Sequence, residues 1–374
     1  MRILIAPNAM KGSLSATDFA NAIGEGLLLA DSTFELLKRP LADGGDGTAQ
    51  IVVNALNGTY VTTKVHDPLG RLIDSGFGWI DENRCAIIEM AEASGLKLLA
   101  TDELSPMITS SSGTGELILE ALNRGAAKII LGIGGSATVD GGLGMMKALG
   151  FRLLDSAGNE ISNGGDGLIE LAQIETDNVS AALFTCEVIV ATDVVNQLLG
   201  EEGAARIYGP QKGATPLMVQ NLELGFENYI QVIEHRSGKD LTRLIGGGAA
   251  GGIAIPLVAF LNAKIVSGAE LVMDLLGILN DLRSCDLVIT GEGCIDIQTI
   301  NGKGAVVIAK AARNAGIPVI AMGGRVIHEA SPIFDGIFSI CSGPSSLEES
   351  MNNAYDMTRL ASQELGRLLR SVVK

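Results

Sequence analysis

Apolar residues in this chain fall into short runs that stop abruptly at loops of glycine and aspartate, with amphipathic stretches between them. Short apolar runs read as buried strands and amphipathic stretches as covering helices, so the pattern predicts an α/β protein. Arg2 to Pro7 is the first strand, and Ser15 or Thr17 can cap a helix running to about Ala30. Phe34 to Pro40 is the second strand, after which the segment Asp43-Gly44-Gly45-Asp46-Gly47-Thr48 opens a helix through Leu56 that ends at Asn57-Gly58.

The rhythm changes between Thr59 and Met90, where alternating runs separated by DPLGR and DENR read as antiparallel strands. Helical periodicity returns from Thr114 to Asn123, followed by a strand at Lys128, a glycine loop and a helix ending near Gly150. The pattern then suggests a strand pair formed by Phe151 to Leu154 and Val188 to Ala191, with helices over 214 to 234 and 250 to 262. Cys285 to Ile289, Val319 to Met322 and Ile337 to Cys341 are further strands, with a helix from Ala305 to Ala315 in βαβ spacing. We expect two domains: a discontinuous Rossmann-like parallel-sheet domain of residues 1–60 plus 280–374, and an inserted mixed α/β domain of residues 61–279. The expected site lies in the cleft between them.

Composition agrees with a two-domain enzyme. At 374 residues the chain exceeds what one core usually supports, and 48 glycines with only 4% aromatic residues suit a glycine-rich α/β fold. The formal net charge of −16 argues against nucleic acid and against anionic membrane surfaces, which are held by Lys and Arg on phosphates. Five cysteines without C-x-x-C spacing suggest neither zinc nor a disulfide framework, and together with the lack of an export signal they point to a cytoplasmic protein. Leu244 to Ala263 has the length of a membrane span and no charge, but five glycines and Pro256 make a glycine turn followed by a buried helix the better account.

The candidate chemistry sits in the loops. Lys128 to Gly144, KIILGIGGSATVDGGLG, holds six glycines, and glycine at that density lets backbone N–H groups approach an anion, most naturally a phosphate. Gly132 to Ala137 also matches the G-x-G-x-x-A dinucleotide pattern, with Asp155 about 20 residues on. A nicotinamide-dependent 2-hydroxy acid dehydrogenase is therefore the competing enzyme, and a non-catalytic sugar-acid or nucleotide sensor the competing binder. Lysine stands beside glycine at Lys11, Lys212 and Lys303, where a point charge on flexible backbone suits phosphate or carboxylate. Asp43, Asp140, Asp193, Glu292 and Asp296 fall at strand ends, where phosphoryl transfer needs acids for Mg²⁺ and for the proton of an attacking hydroxyl. Asp193 is placed for the proton; Asp43 and Asp46 have helix capping as the alternative. His66, His235 and His328 have no metal spacing.

Five segments, IAPNAMKGSLSA, ADGGDGT, GIGGSATVDGG, TDVVNQLLGEEGAARIYGPQKGA and TGEGCIDIQTINGK, together resemble the successive motifs of bacterial glycerate kinases of the glycerate 2-kinase type. The resemblance implies ATP-dependent phosphorylation of D-glycerate with Mg²⁺, giving 2-phosphoglycerate, with 3-phosphoglycerate as the other outcome; it admits a homodimer. We expect catalytic roles for Asp193, Lys11 and Lys212, with the Gly134 to Gly142 loop and Lys212 holding phosphates, Lys11 and Ser13 as candidates for the substrate carboxylate, and further substrate contacts from Asp43, Gly44, Gly45 and Asn196. ATP contacts fall to Gly134, Gly135, Ser136, Thr138, Gly141, Gly291, Glu292 and Lys303, and metal contacts to Asp140 and Asp296. The chain departs from the pattern at Val139, Gln197, Cys294 and Ala305, and cysteine at 294, in place of the usual arginine, weakens a phosphate role there.

Overall fold

The computed structural model describes residues 1–295, 304–327 and 332–372. The protein is a mixed α/β molecule with parallel sheets, and its chain separates into two compact units, Met1–Asp43 with Ala269–Lys374, and Gly44–Gly268.

In the first unit both ends of the chain build one sheet. Strands β1 (Arg2–Ile5), β2 (Glu35–Lys38), β11 (Leu287–Ile295), β12 (Val319–Val326) and β13 (Gly336–Ser339) lie in the order β13-β12-β11-β1-β2, all parallel. Side-chain alternation gives this sheet two apolar faces. Ile3, Ile5, Leu287 and Ile289 pack with Phe19, Ile23 and Leu27 of helix Ala16–Ala30 and with Leu365 and Leu369 of helix Ala354–Val372. Leu4 and Val288, one residue out of step, pack instead with Val306, Ile308 and Ala309 of helix Gly304–Asn314. The first helix starts where its cap predicts, since Ser15 Oγ accepts the N–H of Asp18 at 3.0 Å.

The second unit holds a six-stranded sheet in the order β10-β9-β6-β5-β4-β3, built from β3 (Thr59–His66), β4 (Leu72–Ile80), β5 (Cys85–Glu89), β6 (Lys128–Gly132), β9 (Glu187–Ala191) and β10 (Lys264–Val266). β3, β4 and β5 pair antiparallel as the alternating pattern predicts, and β5, β6, β9 and β10 continue the sheet in parallel. The expected pairing of 151–154 with 188–191 does not form. β7 (Arg152–Leu154) pairs with β8 (Gln173–Glu175) as a separate two-stranded antiparallel sheet, while β9 lies between β6 and β10. β9 is buried along four of its five residues and needs a neighbour on each side, whereas β8 is three residues of mixed polarity that carry no period-2 signal.

The boundaries between units fall at 43/44 and 268/269 rather than at 60/61 and 279/280. Residues 44–60 belong with the second unit because Glu89 of β5 accepts the N–H groups of Gly47 and Ala49 at the start of helix Thr48–Ala55, at 2.9 and 2.6 Å. That carboxylate caps this helix end, and Asp46 bonds Lys97 instead. The uncharged stretch 244–263 breaks at Ala250 (φ +50°) and forms only the short helix Ala254–Leu261, and no helix among the described residues is long and apolar enough to cross a membrane.

Candidate active site

The glycine loop after β6 is held from both sides. A Cβ at Gly132 would lie 2.3 Å from the carbonyl oxygen of Gly44, so the two loops touch backbone to backbone and only glycine fits. Beyond that contact, several of the loop's amides are committed to the chain. Ile133 N–H donates to Ala191, Gly134 to Gly44, Ala137 to Ser94 and Gly141 to Gly251.

The centre of the loop is Asp140, which is fully buried. Its carboxylate accepts from Ser111 N–H at 2.8 Å, Ser111 Oγ at 2.7 Å, Gly142 N–H at 3.0 Å and Gly144 N–H at 3.2 Å. A carboxylate so saturated is a clasp that joins the loop to the start of helix Ser112–Asn123. Three of its bonds fall on Oδ2 and one on Oδ1, and the whole carboxylate is enclosed by the chain, so the geometry does not favour the metal contact expected of it. Gly141 is likewise internal, its carbonyl accepting the hydroxyl of buried Tyr229 at 2.6 Å.

Lys212 supplies the charge. It ends a turn, Pro210–Lys212, closed by Gly213 at φ +90°, where a Cβ would sit 2.3 Å from the Leu104 carbonyl oxygen. Its side chain is 2% exposed, and its Nζ donates to Ser136 Oγ and to the Thr138 carbonyl, both at 2.7 Å. Burial lowers its pKa to about 7, with the charge of Asp140 acting in the opposite direction. With Gly134, Gly135 and Ser136 it lines a cavity of about 120 Å³ whose other walls are Leu96, Ile133, Thr192, Val194, Tyr208, Gln211, Ala249 and Ala250. The fold thus brings Gly134, Gly135, Ser136 and Lys212 together, with the Thr138 backbone as an anchor.

Thr192 and Val194 face the cavity on either side of Asp193, whose Oδ1 accepts from Ser267 Oγ at 2.7 Å. Asn196 is fixed by Tyr208, whose hydroxyl donates to its Oδ1, and by its own Nδ2 donating to the Glu202 carbonyl, both at 2.8 Å. Sequence reasoning did not single out Tyr208 or Gln211, although both lie inside the 192–214 motif. Lys11, Ser13, Asp43, Gly291 and Glu292 belong to the other unit: Lys11 is exposed, Ser13 Oγ donates to the Met351 carbonyl at 2.8 Å, and the Gly291 carbonyl accepts Asn8 N–H at 2.8 Å. Glu292 is buried near the end of β11. Asp296, Lys303 and His328 lie outside the described residues.

Asp46, Glu89 and Glu92 offer three carboxylate oxygens within 4.8 Å of one another. Lys97 already bonds Asp46 at 3.2 Å and Glu92, so an ammonium occupies the place of a cation there, and Glu89 is engaged by the helix start. Asp155 forms a local turn by accepting the N–H groups of Ala157 and Asn159, both at 2.8 Å, and shows no feature of a ribose acid.

The sequence profile of the glycerate kinase family matches residues 3–370. The chain belongs to the glycerate kinase family. It is 41% identical over 373 residues to the glycerate 2-kinase of Escherichia coli K12, covering 99% of this chain and 98% of that one. A glycerate kinase of Halalkalibacterium halodurans is 41% identical over 369 residues, with 97% of each chain covered. The crystal structure of a Salmonella typhimurium LT2 protein assigned as glycerate kinase 2 superposes with a TM-score of 0.88 at 43% identity, over 99% of this chain and 98% of that one. Membership of this family makes the chain a kinase with small-molecule substrates, ATP among them, and leaves the dehydrogenase and sensor readings without support.

Two outcomes follow for stability. Asp140→Ala should orphan buried donors at four bonds and cost at least about 3 kcal/mol, read as a lower urea midpoint. The folded-state pKa of Lys212 lies below its ordinary 10.5, so the unfolded chain binds more protons between about 7 and 10.5 and stability rises with pH across that window. Relative to Lys212→Met, the wild type should gain up to about 1.4 kcal/mol per pH unit there, measured by denaturant unfolding at successive pH values.

Proposed function

We propose that the chain transfers the γ-phosphoryl group of ATP to the 2-hydroxyl of D-glycerate, giving 2-phosphoglycerate and ADP. Family membership along nearly the whole chain carries the reaction class. The cavity at Lys212, with its one buried ammonium, supports a small anionic substrate in the second unit. In the reaction the glycerate hydroxyl oxygen bonds to the γ-phosphorus as the bond from phosphorus to ADP breaks, and the hydroxyl proton passes to a carboxylate. Asp193 is the base in this reading: it adjoins Thr192 and Val194 of the cavity wall without itself lining that cavity, and the Ser267 hydroxyl orients its carboxylate.

Magnesium on the nucleotide phosphates would offset the charge of the transferred group. Asp140 does not fit that ion, and the Asp46, Glu89 and Glu92 group is already served by Lys97, so no step is assigned to a protein-held metal. Tyr208, holding Asn196, keeps that amide in place for a substrate hydroxyl.

A coupled assay should show ADP release from Mg-ATP only when D-glycerate is present, and phosphorus NMR of the product should show the coupling pattern of 2-phosphoglycerate. Absence of release from folded protein overturns the reaction; a 3-phosphoglycerate spectrum overturns the position. Asp193→Asn should lower kcat by about a hundredfold or more, and a loss under about threefold removes Asp193 as the base.

A further inference from the structure

We propose that the cavity headed by Lys212 seats the carboxylate of the small acid substrate, and that the nucleotide phosphates bind elsewhere. This rests on the kinase reading above and deepens it. Size is the first argument, since pockets for larger organic ligands run to roughly 300–1,000 Å³. A space of about 120 Å³ has room for a three-carbon acid and cannot itself enclose a whole nucleoside triphosphate.

Charge is the second. Lys212 is the one cationic side chain among the residues lining this cavity, and a single ammonium matches a monoanion rather than a polyphosphate. Of its three N–H donors two are directed at Ser136 Oγ and the Thr138 carbonyl, both neutral acceptors. No salt bridge to Lys212 is found among the described residues, and the nearby carboxylate of Asp140 is saturated by Ser111, Gly142 and Gly144. A buried ammonium without a bonded counter-anion is costly, and an incoming carboxylate supplies that anion.

The third argument is the loop itself. Its amides at Ile133, Gly134, Ala137, Gly141, Gly142 and Gly144 are bonded within the chain, which narrows what the loop can offer at the cavity wall to the N–H groups of Gly135 and Ser136, a pair suited to one carboxylate. Leu96, Ile133, Val194, Ala249 and Ala250 supply apolar walls against which a short carbon skeleton can lie. The titratable groups facing Lys212 are Asp140 and, in the cavity wall, Tyr208, whose phenol burial keeps neutral. Because burial holds Lys212 near neutrality, carboxylate binding at alkaline pH must draw a proton onto it.

The test is calorimetric titration of the full-length protein with D-glycerate, glycerol and Mg-ADP separately, between pH 6 and pH 9, in buffers of different ionisation enthalpy. D-glycerate should bind with proton uptake approaching one per site at pH 8, its Kd rising towards about tenfold per pH unit above 7, while glycerol does not bind and Mg-ADP shows neither effect. Lys212→Met, checked for folding by its melting curve, should weaken D-glycerate about tenfold to a hundredfold and leave the Kd of Mg-ADP within about threefold. Loss of Mg-ADP binding in that variant, or D-glycerate binding without proton uptake in the wild type, overturns the carboxylate assignment while leaving the kinase reading intact. Lys212-dependent binding of D-glycerate in a protein that releases no ADP upholds the subsite and removes the proposed reaction instead.

Discussion

The second unit is organised around one buried carboxylate. Asp140, fully enclosed, gathers two amides of its own loop with the amide and hydroxyl of Ser111, and so fixes a glycine-rich segment that has little conformational preference of its own. A buried charge is tolerable only when its acceptor sites are filled, and here they are filled by the two segments that must be joined. The same negative charge favours the ammonium form of Lys212, opposing the desolvation that lowers its pKa. The site can therefore carry a nearly neutral-poised lysine in the interior without a bonded counter-ion.

This arrangement changes what the glycine loop is for. Glycine density suggests an exposed cradle for phosphate, yet most of these glycines serve close packing and internal hydrogen bonding. Gly132 lies against the Gly44 backbone and Gly141 against the Tyr229 ring. Their contribution to function is indirect: they let two loops and a helix start meet at distances that any Cβ would forbid, and the cavity at Lys212 is the space left by that packing. The chemistry-bearing side chains then come from separate segments, Ser136 from the loop and Lys212 from the turn closed by Gly213, and the loop after β9 adds Thr192 and Val194.

The chain itself determined much of this protein. Alternating and continuous apolar runs placed the parallel sheet made from both termini, the antiparallel strands after Thr59 and the Ser15 cap, because these depend on local periodicity and on groups a few residues apart. The long motif from Thr192 to Ala214, with the other family segments, was enough to identify the family, and Lys212 and Ser136 were visible as chemistry. Tertiary structure alone decided which partners those residues have. It placed β9 between β6 and β10, took the cap of helix Thr48–Ala55 from Glu89 some 40 residues away, and moved the boundary between units to Asp43. It also gave the Asp140 carboxylate four donors of its own chain. Hydrogen bonding and burial between distant segments leave no periodic trace in a sequence, since a single aspartate reads the same whether its oxygens face solvent, a metal ion or four donors of its own chain.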